Sequence, residues 1–135
     1  MTQSRSSIGF LGMFGRSSDL RQLDQAFRTV DVHPRLVPEP VKLTIVKLLK
    51  ADARSSEPPP TAYAAAAEIV GYCILGADLF ADANTEALCE TVKRRIETAL
   101  EAQGGLDADL LVLALHAKII QPSVIERYGL EITLE

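Results

Sequence analysis

The sequence predicts an all-α fold, and three observations carry that prediction. Ala and Leu dominate the composition, Trp is absent, and Asn occurs once, at Asn84. Apolar residues recur at three- and four-residue spacing over five stretches, the pattern of helices with one face turned to a core. Prolines stand where those stretches open and glycines where several of them close. The architecture expected is a single-domain bundle of five main helices plus a short C-terminal one, with irregular or orthogonal packing because the helix lengths differ.

Residues 1–17 lack periodicity and are rich in Ser and Gly, so they read as a flexible lead-in to a helical domain spanning 18–135. Met13 lies inside that lead-in, and translation from it would make residues 1–12 dispensable. The first helix is expected over Asp19 to Val30. Ser18 stands as N-cap, and Leu20, Leu23, Phe27 and Val30 form one stripe. His33-Pro34 stops it, since the residue before proline avoids the helical region. Pro34, Pro38 and Pro40 make an extended connector, and Pro38 or Pro40 can open the second helix, where a missing amide costs nothing. That helix carries Val41, Ile45, Leu48 and Leu49 on its apolar face and ends near Lys50 or Ala51. A Pro-rich linker follows at 52–60 and reads as a stiff surface crossing.

Helix three is expected from Thr61 to Phe80. Tyr63, Ala66, Ala67, Val70, Cys73, Ile74 and Ala77 share one face. The other face holds Glu68, Tyr72, Leu75 and Leu79, so one charge stands where several are usual. Gly71 and Gly76 weaken the helix and mark either a bend or a close backbone approach. Thr85 can cap helix four, Glu86 to Ala102, with Leu88, Cys89, Val92, Ile96, Ala99 and Leu100 along one side. Gly104 is expected to end it in the left-handed conformation. Helix five, Ala108 to Ile120, is apolar nearly all round, which places it at the centre of the bundle. Pro122 opens a short helix to Tyr128, stopped by Gly129. The tail Leu130-Glu131-Ile132-Thr133-Leu134 alternates like a strand.

At 135 residues the chain is long enough for one core without staples. Apolar residues make up 47% and charged residues 24%. The net charge of −4 argues against a nucleic-acid partner, which needs a basic face to displace counterions. The apolar patch Ile8 to Gly15 is short for a secretory core and has no cleavage site behind it. Ala62 to Ala77 is interrupted by Glu68 and falls short of the ~20 residues that span a bilayer. A soluble, cytoplasmic protein is therefore expected, and the preference for Arg over Lys suits a GC-rich bacterial genome. Cys73 and Cys89 fall in apolar-periodic segments and read as reduced, buried thiols.

Few residues point to chemistry. His116 reads first as a core histidine bonded to a backbone carbonyl and second as a desolvated base or ligand. Cys73, Cys89 and His116 could converge from three helices, but no Cys-x-x-Cys, His-Glu-x-x-His or Glu-x-x-His pair is present, so neither metal nor cofactor is expected. Gly9, Gly12 and Gly15 lack the Gly-Lys-Ser/Thr of a phosphate loop. Asp78 with Asp82, and Glu86 with Glu90, read as solvated acids at helix starts. No catalytic residue is assigned.

Two functional readings remain. The first is a non-catalytic interaction or regulatory module that self-associates as a homodimer or binds another protein through Tyr72, Leu75 and Leu79, the tail, or both. It rests on apolar surface that a monomer of this size does not easily cover. The second is a small-molecule binder or small enzyme with a pocket between helices near His116, Cys73 and Tyr63.

Overall fold

In a computed structural model of the chain, residues 17–131 are described. They form seven α-helices and one 3₁₀ turn, with no strand among them. The helices are α1 Ser18–Thr29, α2 Glu39–Ala53, α3 Pro60–Leu75, α4 Ala77–Ala83, α5 Glu86–Ala102, α6 Leu106–His116 and α7 Pro122–Tyr128, with the 3₁₀ turn at Pro34–Leu36. The expected flexible lead-in, the Met13 start and the strand-like end of the tail lie in residues 1–16 and 132–135, outside the described residues.

Local chemistry sets most boundaries. Ser17, one residue earlier than expected, caps α1, and its hydroxyl accepts from the Leu20 amide at 3.2 Å. Pro38 caps α2, with Pro40 inside its first turn. Thr85 caps α5 through its hydroxyl at 3.0 Å from the Leu88 amide, and α5 has the bounds read from the sequence. At its far end Gln103, not Gly104, takes the left-handed conformation, with φ 56°. Gly104 is exposed and Gly105 turns the chain into α6 at φ 97°.

The expected third helix is two helices. Gly76 sits at φ 85° and ψ 167°, which no helix allows, and the chain breaks there into α3 and α4. The break is held from outside. Gln121, just before α7, donates its backbone amide to the Cys73 carbonyl and its side-chain amide to the Ile74 carbonyl, both at 2.8 Å. Two carbonyls orphaned at the end of α3 are thereby satisfied.

The centre of the bundle is α3, not the apolar sixth helix. Helix α3 packs against α1, α2, α4, α5 and α6, and its alanines and Gly71 let neighbours approach on several sides. Helix α6 contacts α2, α3 and α5, leaving Asp109, Val112 and His116 exposed. It also ends earlier than expected. Lys118 turns left-handed at φ 61°, and the amides of Lys118 and Ile119 donate back to the carbonyls of Leu115 and Ala114.

Gly71 shows what the packing around α3 demands. A Cβ there would stand 3.1 Å from Val30 Cγ2 and 3.3 Å from Val32 Cγ2, both in the buried turn after α1. Alanine would gain up to ~1 kcal/mol of helix propensity, while overpacking costs about 1–3 kcal/mol. Gly71→Ala is therefore expected to lower stability by about 1 kcal/mol, read as an earlier urea midpoint at unchanged slope.

Candidate functional site

The residues singled out from the sequence fall at three separate places. At the α3–α4 corner, Tyr72 is fully buried, contrary to its expected place on an outward face. Its ring meets Phe80 edge-on at 5.8 Å between centroids, and its hydroxyl lies 3.3 Å from that of Tyr128. Burial, followed by that hydrogen bond, raises the Tyr72 hydroxyl well above the ordinary phenol range. The surplus apolar face of the expected helix three is thus largely covered by the chain's own α4 and α7. Leu75 is half-buried, and Leu79, in α4, is 59% exposed.

Leu75 and Leu79 flank a cleft of about 300 Å³ between the corner and α7. Asp78 and Ser123 line it, as does Arg127, whose guanidinium carbon lies 5.9 Å from the centroid of the Tyr128 ring. An acid, a base and two leucines therefore share one rim. The basic member could not be placed from the sequence, because 48 or more residues separate it from Leu75, Asp78 and Leu79, and α7 is brought to α3 by the Gln121 clasp and the Tyr72–Tyr128 contact.

The expected pocket of His116, Cys73 and Tyr63 does not assemble. His116 is exposed, because it is the last residue of α6 and the packed part of that helix has ended. Cys73 is buried in the middle of the core, where desolvation pushes its thiol up to about 12. Cys89 is also buried, with its sulfur 3.5 Å from the Ala77 carbonyl and its thiol raised by burial. Both cysteines are unpaired. Among the described residues, no group of three His, Cys, Asp or Glu side chains is placed to hold a metal ion.

Tyr63 lies at the opposite end of α3. Its buried hydroxyl donates to Asp19 Oδ1 at 2.7 Å, while Lys50 Nζ stands 2.9 Å from Asp19 Oδ2. This ties α1, α2 and α3 together at one point. The Lys50 ammonium, then the Tyr63 hydroxyl, hold the Asp19 carboxyl below its ordinary value. A depressed carboxylate stabilises the fold above its unfolded pKa, and that contribution is lost as pH falls through the folded one. Asp19→Asn is expected to cost up to about 1 kcal/mol at pH 7, since Lys50 is partly exposed and screened. The deficit should close as pH falls through and below the ordinary carboxylate range. Urea unfolding of both proteins from pH 7 to pH 3 measures it.

A denser charged cluster joins α3, α5 and α6. Arg95 donates to Asp107 through Nε at 3.1 Å and Nη2 at 2.9 Å, to Glu68 through Nη1 at 3.0 Å, and to the Ala65 carbonyl through Nη2 at 3.1 Å. The guanidinium is held by two carboxylates and a carbonyl, which makes it a strut between helices. Sequence reasoning missed it, although a signal was present. Glu68 is the one charged residue of the otherwise apolar α3, and such a charge is buried only when paired. Lys42, 5% exposed, plays a similar part between α1 and α2, with Nζ 3.0 Å from Asp24 Oδ1 and 3.8 Å from Glu39 Oε1.

Among the described residues, no helix is long and apolar enough to cross a membrane. No protein-family model, no curated protein and no solved structure matches this chain.

Proposed function

We propose that the protein is a non-catalytic interaction module that self-associates as a two-fold homodimer through the α3–α4 corner. One observation supports this above others. Leu79, 59% exposed, stands beside a cleft whose rim also carries Asp78 and Arg127. In a two-fold interface each patch meets its own copy, so it must be self-complementary. A rim with one acid and one base meets that requirement, because Asp78 of one protomer can face Arg127 of the other while the two Leu79 side chains leave water. A second copy is therefore the occupant that fits this surface best. Buried thiols at Cys73 and Cys89 suit a reducing cytoplasm as the place of action.

Sedimentation equilibrium tests the proposal. The unaltered protein is expected to sediment as a dimer at micromolar concentration. Leu79→Glu, and separately Asp78→Arg, should each raise the dissociation constant at least tenfold. The combination Asp78→Arg with Arg127→Asp should recover most of the loss, because the pair is exchanged and not removed. A monomer at high concentration, or a dimer indifferent to all these changes, would remove the basis of the reading.

A further inference from the structure

A second apolar surface lies on another part of the bundle, in a groove of about 340 Å³ between α5 and α6. Ala108, Leu111, Val112 and Leu115 line its α6 side. Their spacing of three and four residues puts them in one stripe along the helix. Leu111 and Leu115 are buried, while Val112 is 52% exposed. Leu100 of α5 and Leu130, just after α7, add to the apolar lining. Gly129 ends α7 at φ 61°, and the Leu130 amide donates back to the Ile125 carbonyl at 3.0 Å, so a backbone bond holds Leu130 where it meets the groove.

The charge around this lining has one sign. Asp109 and Glu131, both exposed, are the two charged residues among the described residues that line it, and neither Lys nor Arg joins them. The corner at Leu79 differs, since Asp78 and Arg127 give it both signs. A two-fold interface brings each patch against its own copy. Here that would set acids against acids, which disfavours a second copy as the occupant. The same acids repel a phosphate backbone or an anionic lipid surface. A complementary occupant carries apolar side chains with basic ones beside them. The stripe from Ala108 to Leu115 rises about 10 Å, the length of about two helical turns. That length suits the apolar face of a docked helix, whose anchors recur every three or four residues.

We propose that the α5–α6 groove docks a basic amphipathic helix of another protein, its apolar residues seated over Val112 and Leu130 and its lysines or arginines facing Asp109 and Glu131. The protein then carries two unlike surfaces, one that pairs with itself and one that takes a partner of opposite charge. The groove shares no lining residue with the Leu79 cleft, so the two proposals stand or fall separately.

The probe is a labelled synthetic helix of leucine and lysine, its leucines spaced by three and four, compared with a twin carrying glutamate in place of lysine. Titrated by fluorescence anisotropy, the lysine peptide is expected to bind with a dissociation constant on the order of tens of micromolar, at least about tenfold tighter than the twin. Its affinity should fall severalfold as salt rises from about 0.05 M to about 0.5 M. Val112→Ser, at a half-exposed position, should weaken it at least about fivefold. Asp109→Lys with Glu131→Lys should invert the preference and make the glutamate peptide the tighter ligand. Asp82→Lys with Glu86→Lys changes net charge equally at the other end of α5, about 20 Å from Ala99, and should leave the preference in place. Leu79→Glu should leave peptide binding unchanged. Equal affinity for the two peptides, binding of neither, loss of binding with Leu79→Glu, or an inversion produced as well by the Asp82 and Glu86 pair would overturn the proposal. So would a dimer that dissociates on Val112→Ser, since a second copy would then be the occupant.

Discussion

Replacing Phe80 by alanine is expected to remove about 3–5 kcal/mol of stability, the range for deleting a buried aromatic ring from a packed core. Several observations place Phe80 at the high end of single-residue effects. It has no solvent exposure, and it is the one fully buried side chain of the seven-residue helix α4. Its ring packs edge-on against Tyr72 and reaches toward Gly71, where an added Cβ would stand 3.7 Å from Phe80 Cε1. Its carbonyl accepts from the Asn84 side chain at 3.2 Å, and the same amide donates to the Val30 carbonyl at 3.1 Å. A helix of two turns has little stability of its own, so without this anchor α4 should open locally. Thermal unfolding should begin roughly 10 °C lower or more. Amide exchange in α4 should accelerate beyond what the global loss explains. Phe80→Leu, which keeps most of the apolar volume, should cost much less.

Arg95→Ala is expected to cost about 2–3 kcal/mol. Exposed ion pairs contribute about 0–1 kcal/mol, and breaking a buried one costs about 3–5 kcal/mol. The side chains of Arg95, Glu68 and Asp107 are 23–27% exposed, which places this cluster between the two. Alanine would also leave two carboxylates facing a space once filled by their shared cation. Arg95→Lys should recover less than half, because one ammonium cannot reproduce a two-bond grip on Asp107 while also meeting Glu68 and the Ala65 carbonyl. Urea unfolding of the three proteins gives the ranking. In the Glu68→Gln, Asp107→Asn background the cost of Arg95→Ala should shrink to well under half.

The amphipathic walls of this bundle were legible in the sequence because each carries its own instructions. Helix α5 has a capping threonine, an apolar stripe and charged residues on the opposite side, all within one window. Other features were hidden because they depend on distant partners. Gly76 signalled a bend or a close approach, and only Gln121, supplied from 45 residues away, makes it a break. The apolar character of α6 suggested a central position. That position went instead to α3, whose alanines and Gly71 admit close neighbours on several sides, while α6 keeps Val112 in water. A helix running on to Ile120 puts His116 in the core, but the helix closes at His116 through the left-handed Lys118. An unbroken helix from Thr61 to Phe80 puts Tyr72 on its outward face. Once the chain breaks at Gly76, α4 folds back and Phe80 covers it.

The clasp between Gln121 and the end of α3 also bears on how the chain is made. Forty-seven positions separate Ile74 from the side chain that satisfies its carbonyl. At a synthesis rate of about 5–20 residues per second, roughly 2–9 s pass between the appearance of the two on a ribosome. During that interval α1 through α3 can already pair with one another, although the faces of α2 and α3 that α6 covers are still open. The corner cannot be finished, and Leu75 and Leu79 are without the α7 wall of their cleft. A nascent chain would thus present Leu75 and Leu79 before it presents the residue that shapes their cleft, and this corner is open to a chaperone or a neighbouring nascent copy for those seconds.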